Sequence, residues 1–327
     1  MRPRLAPATY VNGILAQDRV VLSRAITLIE SRLLTDRQLA DEVLQLILPH
    51  TGRSIRVGIT GVPGVGKSTF IESLGQHITQ QGTSLAVLTV DPSSQRSGGS
   101  ILGDKTRMET LANNPRAYIR PSAAGTSLGG VAHRTREAML LCEAAGFEVI
   151  LVETVGVGQS ETMVRGMTDF FLLLMLAGAG DELQGMKRGI IEMADALAIT
   201  KADGHNHIYA ARAVTEYQRA LHLYPATESG WVPKVVTCSA LENTGIGEIW
   251  DLIREFEQVS KGSHFFKKNR QNQTLDWMRS YIKQELETRF LTHPEVQLQL
   301  PLIESAVKNG EQLPIQAAKD LLYFFFK

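Results

Sequence analysis

Nine residues, GVPGVGKST, follow directly on the apolar run IRVGIT (55–60) and lead into helical texture. They match G-x-x-x-x-G-K-[ST], and in a strand–loop–helix setting this motif leaves few folds open. Gly61, Gly64 and Gly66, with Val62, Pro63 and Val65 between them, let backbone N–H groups wrap phosphates. The helix N-terminus that follows adds partial positive charge. Lys67 is placed to reach β- and γ-phosphates, Ser68 to set its hydroxyl on Mg²⁺, and Thr69 closes the motif. The spacing predicts a nucleoside triphosphate site.

Around this loop, short apolar runs alternate with polar helical stretches. The strand candidates are 55–60, LAVLTV (85–90), EVILVET (148–154), FFLLLML (170–176), ALAIT (196–200) and KVVTC (234–238). Most are continuously apolar, as strands covered on both faces of a mostly parallel sheet are. The expected fold is therefore a doubly wound α/β domain of the phosphate-loop NTPase kind, over residues 53–260. Residues 1–52 read as a helical extension, with Ile14, Val21, Ala25, Leu28 and Ile29, then Leu39, Val43, Leu46 and Ile47, at helical steps. Residues 261–327 read as a helical arm. Leu275, Met278, Ile282, Leu286 and Phe290 mark one amphipathic helix, and the apolar end LLYFFFK is expected to pack on the body or on another chain.

Lys+Arg and Asp+Glu both number 34, so no global basic surface points to nucleic acid. Cys142 and Cys238 lie far apart without CxxC spacing, which fits structural thiols in a reducing compartment. No apolar core follows the N-terminal arginines, so no secretory signal is read. FFLLLMLAGAG (170–180) falls short of the roughly 20 residues a membrane helix needs. A soluble, cytoplasmic chain is expected.

The run ILVETVGVGQ (150–159) ends an apolar strand in a carboxylate. In such folds ligands bind at the carboxyl ends of parallel strands, so Glu153 can face the Mg²⁺ that Ser68 helps hold. Gly156 then allows backbone to approach the γ-phosphate, an E-x-x-G version of the D-x-x-G switch. Asp91 ends a second strand at DPSS, and Asp104 opens DKTR after the glycine-rich RSGGSILG, which suits a switch loop. Lys67, Asp91 and Glu153 are the catalytic candidates; Ser68, Asp91, Asp104 and Glu153 are the metal candidates.

ALAIT runs into TKADG, where GTPases read guanine with N-K-x-D. Lys201 and Asp203 match, Thr200 replaces Asn, and Asp203 carries the discrimination because only guanine offers a carboxylate its donor pair. Thr200 weakens that discrimination on paper. Ser239, Ala240 and Leu241, after KVVTC, resemble the S-A-[LK] element that closes over the base. Val157 stands where Ras-type proteins carry a water-orienting Gln, and Gln159 lies two residues on, so slow hydrolysis completed by a partner or second subunit is expected.

Together, GVPGVGKST, DPSS, DKTR, ETVGVGQSE, TKAD and SAL resemble the MeaB/ArgK type of GTPase, of the SIMIBI class. These are the methylmalonyl-CoA mutase-associated GTPases, whose relatives carry the older name of lysine/arginine/ornithine transport kinases. The resemblance runs through the whole chain. It implies that Lys67, Ser68, Asp91, Asp104 and Glu153 serve nucleotide and Mg²⁺, and that the C-terminal arm mediates homodimerisation. It also implies a chaperone of an adenosylcobalamin-dependent mutase, with a further mobile loop at 178–189. Gln184, Lys187 and Arg188 in that loop would sense nucleotide state or meet the mutase. Two alternatives stay open: a kinase of basic amino acid transport, which has no need of a guanine reader, and a nickel or zinc insertion GTPase. The second has only His205 and His207 in its favour.

Overall fold

The computed structural model describes residues 3–31, 33–90, 108–121, 128–154, 160–178, 188–222 and 228–326. At the N-terminus, helices α1 (Pro7–Leu15), α2 (Arg19–Ile29) and α3 (Leu34–Ile47) pack on one another. The Asp18 carboxylate caps α2, accepting from the N–H groups of Val20 (2.8 Å) and Val21 (3.1 Å). Tyr10, Ile14, Leu22, Ile26, Val43 and Ile47 are buried in the same apolar cluster as the sheet residues Ile150 and Val152. The N-terminal helices are thus one layer over the sheet, held there by shared burial.

Next in the chain come β1 (Ile55–Gly61), α4 (Lys67–Gln80), β2 (Leu85–Val90), α5 (Glu109–Ala112), β3 (Ala117–Arg120), α6 (Leu128–Ala144), β4 (Val149–Thr154), α7 (Ser160–Arg165) and β5 (Phe170–Leu176). Then follow α8 (Arg188–Met193), β6 (Ala196–Thr200), α9 (His207–Leu221), β7 (Lys234–Thr237) and α10 (Ile246–Gly262). The strands form one seven-stranded sheet in the order β3-β2-β4-β1-β5-β6-β7. Every pairing is parallel. One face is covered by α1–α3 and α6–α9, the other by α4, α5 and α10. The chain leaves β1 toward β2 on one side and returns through β4 to cross to β5 on the other. The carboxyl end of β1 is therefore the crevice where such sheets take ligands.

Six of these strands match the sequence reading to within a residue. The seventh, β3, was not anticipated, and its reason is plain. AYIR is four residues long, lies between Pro115 and Pro121, ends in a charge and sits at the sheet edge, where a strand needs little apolar sequence.

By internal contacts the chain divides into two compact units, Met1–Gln273 and Thr274–Lys327. The division falls inside the long helix α11 (Phe265–Thr292). In the second unit, α12 (Pro294–Lys308) and α13 (Pro314–Phe326) pack on each other. Phe325 sets its ring against Phe290 and His293, each at 5.5 Å between centroids, so part of the apolar terminus is packed within its own unit. Tyr323 and Phe326 remain exposed, as do Leu275, Met278, Ile282 and Leu286 on the face expected to be apolar. Among the described residues, no helix is long and apolar enough to cross a membrane.

Candidate active site

β1 delivers the chain into the glycine-rich loop with no room to spare. A side chain at Gly61 would put its Cβ 2.5 Å from the Leu174 carbonyl oxygen of β5. Gly66 takes a left-handed conformation (φ 95°) as the residue before α4, which only glycine adopts cheaply. Val65 is buried beneath the loop while Pro63 and Gly64 face solvent. The curl exposes backbone at the start of a 14-residue helix, the arrangement that receives phosphate.

Lys67 opens that helix and turns back, donating from Nζ to the carbonyls of Gly61 (2.7 Å) and Val62 (3.3 Å). Ser68 Oγ donates to Glu153 Oε1 at 3.2 Å, so the strand-tip carboxylate and the loop hydroxyl face one another. Glu153 pairs in register with Ile59 on β1 and Thr89 on β2, and is buried. These hard oxygen donors are the kind a magnesium ion takes, and the site fits one. Asp91, Asp104, Gly156, Val157, Gln159, Gln184 and Lys187 lie outside the described residues. Arg188 begins α8.

One acidic residue of the site was missed. Glu161, in the first turn of α7, is buried, and its charge acts with that of Glu153 on the Lys67 ammonium. Burial pulls that ammonium below its ordinary value, and the two carboxylates oppose the pull. The only trace of Glu161 in the sequence is an acid eight residues beyond Glu153 at a helix start, a position where acids commonly sit for capping.

The base end adjoins the phosphate loop, which supplies part of its wall. A cavity of about 300 Å³ is lined by Val65, Thr69, Lys201, Asp203, Ala240 and Leu241, among others. Lys201 is held in a left-handed conformation (φ 54°), with its carbonyl accepting from Asn206 Nδ2 at 2.6 Å. Ser239 Oγ donates to Asp203 Oδ2 at 2.6 Å, fixing the carboxylate that the sequence singles out. Ser73 Oγ donates to the Ala240 carbonyl (3.1 Å), which holds the second base-side loop on α4, and Leu241 is 85% exposed beside the cavity.

Thr200 has a structural use. Its hydroxyl points at two carbonyls, Val65 O (2.8 Å) and Met175 O (3.2 Å), tying β6 to the phosphate loop and to β5. Thr200→Val keeps the shape and removes the donor, leaving buried carbonyls short of a partner. The expected cost is about 1–3 kcal/mol of stability, read from urea unfolding, with guanine still preferred over adenine. A loss of guanine preference would show that Thr200 reads the base.

The remaining candidates are peripheral. His207 Nε2 lies 3.8 Å from Glu242 Oε2 at the surface, and His205 belongs to a short turn of helix. Among the described residues, no group of three His, Cys, Asp or Glu side chains could hold a metal ion. Cys142 and Cys238 are buried free thiols; burial pushes both up, Cys238 to about 12.

Comparison with known proteins places the chain in a family. A family model described as "Methylmalonyl Co-A mutase-associated GTPase MeaB" matches residues 22–295. A putative GTPase of Caulobacter vibrioides is 48% identical, over 100% of this chain and 99% of its own. The mitochondrial methylmalonic aciduria type A homolog of Mus musculus is 47% identical, over 96% of this chain and 78% of its own. Among solved structures, a LAO/AO transport system kinase superposes with a TM-score of 0.79 at 36% identity, covering all of both chains. The chain belongs to the methylmalonyl-CoA mutase-associated MeaB family of GTPases and is a GTP hydrolase.

Proposed function

We propose that this GTPase is a nucleotide-dependent chaperone of an adenosylcobalamin-dependent methylmalonyl-CoA mutase, acting in loading or protection of the mutase's cofactor. The family's association with that mutase supports the reading, as does the relative named for methylmalonic aciduria. The observation that carries it is the hydrogen bond from Ser68 to the strand-tip carboxylate of Glu153 beside Lys67, which brings the carboxyl end of β4 to the phosphate loop.

In this reading Gly61–Thr69 cradle the phosphates and Lys67 moves from the loop carbonyls to the β- and γ-phosphates. Ser68 and Glu153, with Asp91 and Asp104, hold Mg²⁺ directly or through water. A magnesium ion held by these residues would supply positive charge to offset that of the phosphates. Gly156 meets the γ-phosphate. Asp203 accepts from the guanine N1–H and N2 amine, the Lys201 stem covers the ring, and Ser239–Leu241 close over it. The exposed Leu275, Met278, Ile282 and Leu286 are the face we assign to a homodimer contact.

A partner-gating role requires that GTP and GDP forms bind the mutase with different free energies. The test is GTP hydrolysis by the purified protein, alone and with the mutase, with ATP in parallel. Slow turnover alone, a rise of several-fold on adding the mutase and no turnover of ATP are expected. Fast turnover by the isolated protein, or indifference to the mutase, overturns the chaperone reading.

A further inference from the structure

Two loops meet at the base pocket, 200–207 after β6 and 238–245 after β7, and each is braced within itself. In the first, Asn206 Nδ2 donates to the Lys201 carbonyl at 2.6 Å, and the Asn206 N–H donates to the Asp203 carbonyl at 2.9 Å. In the second, Ser239 and Thr244 exchange two N–H···O bonds of 3.0 Å each, closing a turn over residues 240–243. Asn243 is left-handed in that turn (φ 54°), and a Cβ on Gly245 would run into the Thr237 carbonyl. The second loop is thus tightly constrained.

The ties between the loops run from the buried end outward. Innermost, the Ala202 N–H donates to the Cys238 carbonyl at 3.1 Å. Next, Ser239 Oγ donates to Asp203 Oδ2 at 2.6 Å and accepts from the Glu242 N–H at 3.1 Å. Outermost is the Glu242 carboxylate. Its Oε1 accepts from the Gly204 N–H at 3.4 Å, and its Oε2 lies 3.8 Å from His207 Nε2. The histidine contact is ionic only with a protonated imidazole, and both side chains are exposed, so it adds little. The bond to Gly204 matters more. That N–H belongs to the planar peptide that follows Asp203, so holding it fixes the backbone from which the base-reading carboxylate is presented. Gly204 is itself left-handed (φ 48°) and has no side chain to restrain it.

We propose that Glu242 is a positioning residue for guanine recognition: it holds the Asp203–Gly204 peptide from the opposite loop, keeps the Asp203 carboxylate in the plane of the base, and so slows release of guanine nucleotides. The proposal rests on the reading of Asp203 as acceptor of the guanine N1–H and amine. Two parallel bonds to one carboxylate require its plane to match the edge of the base. A carboxylate that swings keeps one bond and loses the other. Without Glu242 the pocket therefore gives up part of its preference for guanine over hypoxanthine, which has the N1–H and lacks the amine. Because the effect acts at the base, it falls equally on diphosphate and triphosphate.

The experiment follows release of fluorescent GDP and of a fluorescent non-hydrolysable GTP analogue from the full chain, chased with unlabelled GDP. Displacement titrations compare GDP with inosine diphosphate, for wild type, Glu242→Ala and Glu242→Gln. Glu242→Ala is expected to raise both release rates about fivefold and to cut the preference for GDP over inosine diphosphate about threefold, the scale of one hydrogen bond. Glu242→Gln keeps an acceptor for the Gly204 N–H and is expected to stay within about twofold of wild type. A merely structural Glu242 would lower the urea midpoint and leave the base preference where it was. That result overturns the proposal, as does release from Glu242→Ala within about twofold of wild type, or Glu242→Gln as impaired as Glu242→Ala. Asp203→Asn in the same titrations keeps the two readings apart: if it retains the preference for guanine over hypoxanthine, the assignment of Asp203 fails first and the proposal with it.

Discussion

Asp203→Asn is expected to exchange guanine for xanthine. The carboxylate presents two acceptors, which match the N1–H and the amine of guanine; an amide presents one acceptor and one donor. Guanine would then hold its amine against an N–H, whereas xanthine carries a carbonyl at that position and accepts instead. The site loses one charge-assisted hydrogen bond and leaves a donor pair facing itself, so GTP affinity should fall about a hundredfold or more. Xanthosine triphosphate should gain by a similar factor. Ser239 is what makes the exchange tolerable. Its hydroxyl donates to Asp203 Oδ2 at 2.6 Å, and a hydroxyl can rotate to accept from an amide without moving the backbone. Lys201, held by Asn206, keeps its place in either case. Displacement titrations with GTP, ATP and xanthosine triphosphate measure the result. Unaltered GTP affinity in the variant would mean that Asp203 is not the base reader and that recognition lies elsewhere in the cavity.

The same residues show what a sequence of this kind reveals and what it conceals. The phosphate loop is legible because its constraints are local: Gly61, Gly66, Lys67 and Ser68 lie within eight residues and answer to one backbone curl. The central strands are legible because burial on both faces makes them continuously apolar, and 85–90, 170–176 and 196–200 are observed as read. The edge strand β3 escapes because an edge imposes no such demand. Thr200 looked like a weakened base reader because the comparison was with Asn in a motif; its hydroxyl tie to Val65 spans 135 positions and has no local signature. Glu161 is concealed for the same reason. Its relation to Lys67 is made by the packing of α7 on β1 at Gly58, not by any spacing in the chain.

The least legible feature is also the one with the largest expected effect on stability. Arg270, near the start of α11, grips Asp169 with two bonds, Nε to Oδ1 at 2.8 Å and Nη2 to Oδ2 at 2.7 Å. It also donates to the carbonyls of Gly52 (2.8 Å) and Ser54 (2.5 Å), and stacks on Phe266 with 4.5 Å to the ring centroid. Asp169 further accepts from the Arg56 N–H at 2.8 Å, while Arg56 Nε pairs with Glu143 at 2.8 Å. Four charges are thus locked at the amino ends of the strands, with the Asp169 side chain only 1% exposed. Burial pulls the Arg270 guanidinium down, yet its bonds to Asp169 and the neighbouring negative charge hold it above the ordinary value. Removing the arginine leaves that carboxylate buried without its main counter-charge, so Arg270→Ala should cost about 3–5 kcal/mol of unfolding free energy. Arg270→Lys should rescue little, because a single ammonium cannot reproduce a fork that serves a carboxylate and two carbonyls at once. The lock sits at the opposite end of β1 from the phosphate loop, so nucleotide affinity of the folded protein should stay within about threefold while the urea midpoint drops. A stability loss below about 1 kcal/mol would mean that the network is replaced by water at no cost. A comparable loss of GTP affinity would mean that the foot of α11 and the phosphate loop are coupled through β1, which runs between them.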